Sequence, residues 1–418
     1  MTDDADAAEP GAPAGERAAA VGERAGDEVR LSERASGFAR RGRPWFFRDD
    51  VIAGELSPPR LVRGRDEHDK DLGLFVTGPG KLVLRHAGPW RAPAVPDRTT
   101  FCHRRLEAAL QRRAGLLGPD QGVRLVHGDS DFLPGLVVDR YGKVLVLQST
   151  SAFVDRCLDS IVPFLAERLG AEAVVVRNDV PARQHEQLEP WVDLVHGRRV
   201  VETTFVEHGV RHTVRPFTGH KTGFYLDQRP ARLLVQQLSK GRRVLDLFGY
   251  QGGFALNALR GGAVSALLVD QSEDALAVAA ASAAANGLGG LETRAANVFD
   301  LVRDLRQQEQ RFDLIVLDPP AFAKARREVA GAERGYRDLN RQALRLLAPN
   351  GLLLTCTCSH HVTGERFEEV VRQAAAGLPF RVVLQQRLGA GDDHPVLLTH
   401  PESEYLKVLL LQRVDEGV

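Results

Sequence analysis

Val244-Leu245-Asp246-Leu247-Phe248-Gly249-Tyr250-Gln251-Gly252-Gly253-Phe254 reads as a short apolar strand that ends around Asp246, turns through three glycines and enters a helix near Phe254. Glycine lets the backbone turn sharply and approach a ligand closely, and a helix N-terminus there favours a carboxylate or phosphate. The glycine spacing is not the dinucleotide pattern G-x-G-x-x-G. Outward from this stretch, helices alternate with short apolar strands at 244–248, 266–269, 314–317 and 352–355, and 381–384 with 405–411 reads as a closing antiparallel pair. Pro230 suits a helix first turn and Gly241 its end. The alternation predicts an α/β fold on a parallel sheet, with its ligand at the carboxyl ends of the strands.

Three further signals fall on that edge. Asp270 closes the second strand, where a carboxylate can accept two ribose hydroxyls; the plainer reading is an Asx turn with Ser272 capping the next helix. Asp318-Pro319-Pro320-Ala321-Phe322 follows the apolar run Leu314–Leu317. Two prolines continue neither a helix nor a central strand, so they fix a rigid loop. Asp318 can then bond a base edge or the cofactor region, and Phe322 can stack on or wall the pocket. Thr355-Cys356-Thr357-Cys358-Ser359 ends the next strand. Cys356 and Cys358 are expected to face opposite sides, so that one thiol at most reaches the crevice. The bland reading is a small buried hydrophobe, but the edge position favours Cys358 as a nucleophile. Such a thiol is expected to titrate below the free value of about 8.5. His360 and His361 lack structural-zinc spacing and a second ligand pair, so no metal is expected. Gln228 and Arg229 precede the first helix of this region, where Arg229 can pair with a carboxylate.

Composition bounds the rest. A chain of 418 residues with 43% hydrophobic and 26% charged residues is that of a globular protein of two or three domains. No apolar run is long enough to span a bilayer, and four cysteines form no disulfide framework, so a cytoplasmic protein is expected. The net charge of zero hides an asymmetry. Residues 1–30 carry eight acidic and three basic side chains, a charge of −5 that leaves +5 on the remainder. Residues 1–40 are expected as a disordered acidic tail. Short β-like runs from Arg43-Pro44-Trp45-Phe46-Phe47 to about residue 91 predict a small β-domain over 41–98. A central β-rich α+β domain is expected over 99–205, with a helix at 100–117, a hairpin at 133–148 turning at Gly142, a helix at 153–169 and a strand at 173–177. A hairpin within 200–225 leads into the catalytic domain, placed at 206–418.

The motifs occur in a specific order: Lys221-Thr222-Gly223-Phe224-Tyr225-Leu226-Asp227-Gln228-Arg229, the Asp246 loop, Asp318-Pro319-Pro320-Ala321-Phe322, Gly335-Tyr336-Arg337-Asp338-Leu339-Asn340, Thr357-Cys358-Ser359, Asp393-His394-Pro395-Val396 and His400-Pro401-Glu402-Ser403-Glu404-Tyr405-Leu406-Lys407. Together they resemble the bacterial 23S rRNA 5-methylcytosine methyltransferase family. The resemblance implies an N-terminal PUA-like domain, the central domain and a C-terminal Rossmann-like domain that uses S-adenosylmethionine (SAM). It implies Cys358 and Asp318 as catalytic residues. Gln228, Arg229, Asp246, Phe248, Gly249, Tyr250, Gly252, Gly253, Asp270, Asn297 and Asp318 would hold the cofactor, and Pro319, Pro320 and Phe322 the substrate. Asn297 stands where an aspartate is commoner in the family, and His360 replaces a usual glycine.

Cytosine C5 is a poor nucleophile, and thiolate attack at C6 would activate it. Asp318 would stabilise charge at N3, on a base that is unpaired or flipped out of rRNA. Two other readings remain open at this point: an RNA methyltransferase acting on a base nitrogen, which needs no cysteine, and a non-catalytic RNA-binding assembly factor. A homodimer is left open.

Overall fold

The computed structural model describes residues 28–415 apart from 93, 324 and 325. The expectation for residues 1–27 lies outside the described residues.

The first sheet contains Glu28–Leu31 (β1), Trp45–Phe47 (β2), Val51–Ala53 (β3), Leu61–Arg65 (β4), Asp71–Thr77 (β5) and Leu82–Gly88 (β6), ordered β2-β6-β5-β4-β1-β3. Helix Glu33–Arg40 (α1) is capped by Ser32, whose side chain accepts from the Ala35 N–H. Residues 28–40 are thus a strand and a helix, not the end of a tail. Val29, Leu31, Ala35 and Ala39 bury themselves against Phe46, Val62 and Phe75. A segment with few apolar residues is ordered by partners far along the chain.

The second sheet contains Gly122–His127 (β7), Leu136–Tyr141 (β8), Val144–Ser149 (β9), Ala173–Asn178 (β10) and Trp191–Gly197 (β11), ordered β11-β10-β9-β8-β7. The β8–β9 turn holds Gly142 at φ +59°, as a two-residue hairpin requires. Helices Arg98–Arg112 (α2), Ala152–Asp155 (α3) and Leu158–Leu169 (α4) accompany it. The helix expected to reach Leu117 therefore stops at Arg112, followed by a 3₁₀ turn, and the one expected from residue 153 is divided.

Thr203–Glu207 (β12) and Val210–Val214 (β13) form a separate hairpin in which Val206 pairs with Arg211. A domain boundary at 205/206 would cut a paired strand. Phe205 and Val214 pack with Tyr141 and Val146 of the second sheet, whereas Val210 packs with Leu256 and Ala283 of the catalytic part. The hairpin is a bridge, and the segment between Gly197 and Thr203 is the better dividing line.

The catalytic sheet contains Arg243–Leu247 (β14), Ser265–Asp270 (β15), Leu291–Ala295 (β16), Phe312–Leu317 (β17), Leu347–Thr357 (β18), Arg381–Leu388 (β19) and Lys407–Val414 (β20). Its order is β16-β15-β14-β17-β18-β20-β19, parallel from β16 to β18, with β20 antiparallel to both neighbours. Helices Arg229–Leu238 (α5), Gly253–Arg260 (α6), Glu273–Ala285 (α7), Val298–Gln307 (α8), Val329–Arg345 (α9) and Gly364–Ala375 (α10) cover it. Alternation along the strands decides which face each residue serves. Leu245, Leu247, Ile315, Leu317 and Leu353 pack under α8, α9 and α10. Val244, Leu314, Val316, Leu352, Leu354 and Cys356 pack under α5, α6 and α7. The chain adds strands to one side of β14 as far as β16 and then to the other side from β17 onward, and open α/β sheets form their ligand crevice at the carboxyl ends beside such a switch in strand order.

Candidate active site

Asp246, Asp318 and Cys358 continue the even-numbered positions of β14, β17 and β18, so they share the face that carries α5 and α6. The glycine loop rises from β14. Phe248 (φ +62°), Tyr250 (φ +50°) and Gly252 (φ +74°) all adopt left-handed conformations. A Cβ on Gly249 would lie 2.2 Å from Leu268 Cδ1 and 2.7 Å from Asp246 Oδ2, so only glycine fits. Asp246 Oδ2 accepts from the Ala255 N–H at 2.9 Å, fixing the start of α6 to the strand. Burial pushes its carboxyl up to about 7. Asp270 Oδ2 accepts from the Tyr250 N–H at 2.9 Å and Oδ1 from the Ser272 N–H at 3.0 Å, tying the loop to the end of β15. Asn297 caps α8 by accepting from the Phe299 N–H at 2.9 Å.

Across the crevice, Gln228 Nε2 donates to Asp318 Oδ2 at 2.9 Å. Burial, reinforced by the nearby Asp227 carboxylate, raises the Asp318 carboxyl to about 7. Pro319 is buried and Pro320 exposed, and Phe322 packs its ring 4.7 Å from that of Tyr336. Asp227 accepts from the Tyr405 hydroxyl at 2.6 Å; burial opposes its ionisation, but Lys221, His394 and this bond hold it well below the usual range. Lys221 Nζ sits 4.4 Å above the Tyr225 ring.

Two expectations about the thiols need correcting. Residues two apart on a strand point the same way, so Cys356 and Cys358 do not face opposite sides. Both belong to the face under α5–α7. What separates them is the end of β18 at Thr357: Cys356 is fully buried inside the sheet, and Cys358, just past the end, is half-buried at the rim. Nor does the Cys358 thiol titrate low. Burial and the Asp318 carboxylate raise it, and Lys221 opposes them only in part.

Arg229 is also not where it was expected. Its Nη2 donates to Asp393 Oδ2 at 3.1 Å and to the Gly122 carbonyl, so its guanidinium is held between domains instead of at the glycine loop. His360 and His361 are exposed, with His360 Nδ1 3.3 Å from the Glu402 carbonyl. Sequence reasoning assigned no role to Lys221, Tyr225, Asp227, Tyr336, Tyr405 or Lys407, although each lies in a quoted motif.

A family model described as S-adenosylmethionine-dependent methyltransferase matches residues 182–397. A structure of a SAM-dependent methyltransferase from Streptococcus mutans aligns with a TM-score of 0.77 at 22% identity, over 92% of this chain and 99% of that one. A methyltransferase crystallised with S-adenosylhomocysteine aligns with a TM-score of 0.79 over the same shares, also at 22% identity. These two likenesses concern the fold. Fold and site together define the class, a SAM-dependent methyltransferase. Ribosomal RNA large subunit methyltransferase I of Erwinia tasmaniensis is 36% identical over 88% of this chain and 94% of its own length. Its counterpart from Aeromonas hydrophila is 39% identical over 89% and 96%. The chain belongs to the ribosomal RNA large subunit methyltransferase I family.

The residues present fit SAM. Asp246 Oδ1, Gln228 Oε1 and Gln251 Oε1 are buried acceptors without a hydrogen-bond partner among the described residues. A set of unmet acceptors beside a glycine loop suits a ligand that brings ammonium and hydroxyl donors. The N–H groups opening α6 suit its carboxylate.

Proposed function

We propose that the protein methylates C5 of a cytosine in 23S rRNA, acting in the cytoplasm through a covalent adduct on Cys358. The observation that carries this reading is the placement of one accessible thiol: Cys102, Cys157 and Cys356 are buried, and Cys358 alone of the four cysteines is half-exposed, at the rim beside Asp318.

Asp246, Gly249, Gly252, Gly253 and Asp270 hold SAM, with Gln228 and Asp318 at the reacting end and Asn297 near the adenine. When bound, SAM supplies an electrophilic methyl group to C5. Cys358 reacts as the thiolate, its S–H proton having passed to solvent at the rim; the sulfur bonds to C6 of the cytosine, and the C5–C6 pair of electrons becomes available at C5. Asp318, whose raised pKa keeps a proton on it close to neutrality, donates that proton to N3 as charge develops there. A base then takes the C5 proton, the C5–C6 double bond re-forms, the sulfur leaves as thiolate and N3 returns its proton to Asp318. Pro319 and Pro320 set the loop rigidly, and Phe322 walls the base site.

RNA docking is assigned to the two sheets ahead of the catalytic one, the first of them PUA-like. In support, the Phe38 ring carries the guanidiniums of Arg34, Arg41 and Arg43 at 5.0–5.8 Å, and Phe47 is exposed nearby in sequence. Cation–aromatic surfaces of this kind suit single-stranded RNA.

RNA carrying 5-fluorocytosine at the target should trap the enzyme, because fluorine cannot leave as the C5 proton does. Cys358→Ala should abolish both trapping and methylation, and Cys356→Ser should retain both. Full methylation by Cys358→Ala would favour a base nitrogen as acceptor and overturn the proposal.

A further inference from the structure

The two loops that would act on the base are joined by one hydroxyl that the mechanism above does not use. Tyr336, on α9, is fully buried. Its hydroxyl accepts from the Thr357 Oγ1 hydroxyl at 2.9 Å and from the Phe322 N–H at 3.4 Å, and it pairs with Ser359 Oγ at 3.1 Å. A phenol has one donor and two acceptor sites, so donation to Ser359 saturates it. Burial raises the phenol above its ordinary range and keeps the proton in place for that donation.

The identity of the partners gives this junction its meaning. Thr357 and Ser359 are the two neighbours of Cys358, and Phe322 closes the loop that begins at Asp318. β18 has ended at Thr357, so no ladder bond holds the backbone at Cys358. Ser359 N–H donates to Thr357 Oγ1 at 3.2 Å, and Lys407 Nζ holds the Ser359 carbonyl at 2.9 Å. Gly335 lets α9 approach, since a Cβ there would already stand 3.3 Å from the Phe322 ring.

We propose that Tyr336 is a positioning residue that holds the Cys358 turn and the Asp318 loop in one fixed register through its hydroxyl. The catalytic half of this proposal rests on Cys358 being the nucleophile; the structural half does not. Positioning matters because attack at C6 and protonation at N3 involve one planar base, so the two groups must keep a constant separation.

Tyr336→Phe removes the hydroxyl and keeps the ring. The full-length variant should lose kcat at least tenfold, with KM for SAM unchanged within about twofold, since the glycine loop is not touched. Iodoacetamide labelling, read cysteine by cysteine by mass spectrometry, should rise at least threefold at Cys358 while Cys102, Cys157 and Cys356 stay protected. A merely structural role would raise all four together through global opening, and that result overturns the proposal. So does a wild-type kcat, whatever the labelling. Should Tyr336→Phe not accumulate as folded protein, Thr357→Val combined with Ser359→Ala breaks the two bonds that tie the hydroxyl to the Cys358 turn, leaving the one from the Phe322 N–H, and is read identically. If Cys358→Ala still methylates, the nucleophile assignment fails, while selective labelling of Cys358 in Tyr336→Phe still reports on the pin.

Discussion

Asp318 sits where its ionisation is opposed by burial and by the Asp227 carboxylate, with a folded pKa of about 7. The unfolded chain releases the same proton near 3.9. Between these values the folded state binds more protons than the unfolded state, so the stability linked to this group is complete below about 4 and is lost as pH rises through about 7. Asp318→Asn keeps an acceptor for Gln228 and cannot ionise. It should melt above the wild type at pH 8, the gap closing as pH falls to 4, while methylation is lost; a gap independent of pH would show that the carboxylate does not carry the strain. At this scale, the sequence made Asp318, Cys358, Asp246 and Gln228 legible, because each ends a recognisable strand or opens a helix. It misplaced Arg229, whose partner Asp393 lies 164 residues away. It left Tyr336 unassigned because the meaning of its hydroxyl depends on three atoms supplied by two other loops.

A loop with left-handed residues at Phe248, Tyr250 and Gly252 holds its shape because Asp270 bonds the Tyr250 N–H and the Tyr250 ring stacks on His220 at 4.3 Å. Gly249 is the tightest point. Gly249→Ala must move the loop off β15, and SAM affinity measured by calorimetry should fall at least tenfold, about 1.4 kcal/mol or more. Unchanged affinity would mean that this loop does not hold the cofactor. The elements of the catalytic sheet were readable because parallel strands buried on both faces appear as unbroken apolar runs. The exception is β16, Leu-Glu-Thr-Arg-Ala, an edge strand whose Glu292 and Thr293 are exposed. β1 and α1 were missed for a related reason: their burial is supplied by β4, β5 and β2, not by their own composition.

Three sheets act as one body because polar contacts, not only apolar area, cross between them. Arg85 of the first sheet bonds Glu186 of the central part at 2.5 Å, and Trp45 packs 4.3 Å from His400 of the catalytic part. At the centre lies Asp393, fully buried, whose Oδ2 accepts from the Arg124 N–H at 2.9 Å and from Arg229 at 3.1 Å, and whose Oδ1 meets His394 Nδ1 at 2.9 Å. Its backbone carbonyl accepts from Arg113, itself buried against Asp131. Burial opposes the charge on Asp393, but the His394 and Arg229 partners outweigh it and hold the carboxyl at about 2. Its stabilising contribution is therefore present above about 4 and lost as pH falls through about 2. Removing the charge leaves Arg229 at the domain junction with only the Gly122 carbonyl and the Glu207 carboxylate, 3.5 Å from its Nε, and costs about 2 kcal/mol. The cost should fall on the coupling between parts. Trp45, Trp90 and Trp191, the only tryptophans, all belong to the first two domains, and buried Cys356 belongs to the catalytic sheet. In urea, tryptophan fluorescence and Cys356 labelling should trace a single transition in the wild type. In Asp393→Asn the midpoint should drop and the two curves should separate. Coincident curves at an unshifted midpoint would show that the domains are held by apolar packing alone and that the Asp393 charge is spectator to it.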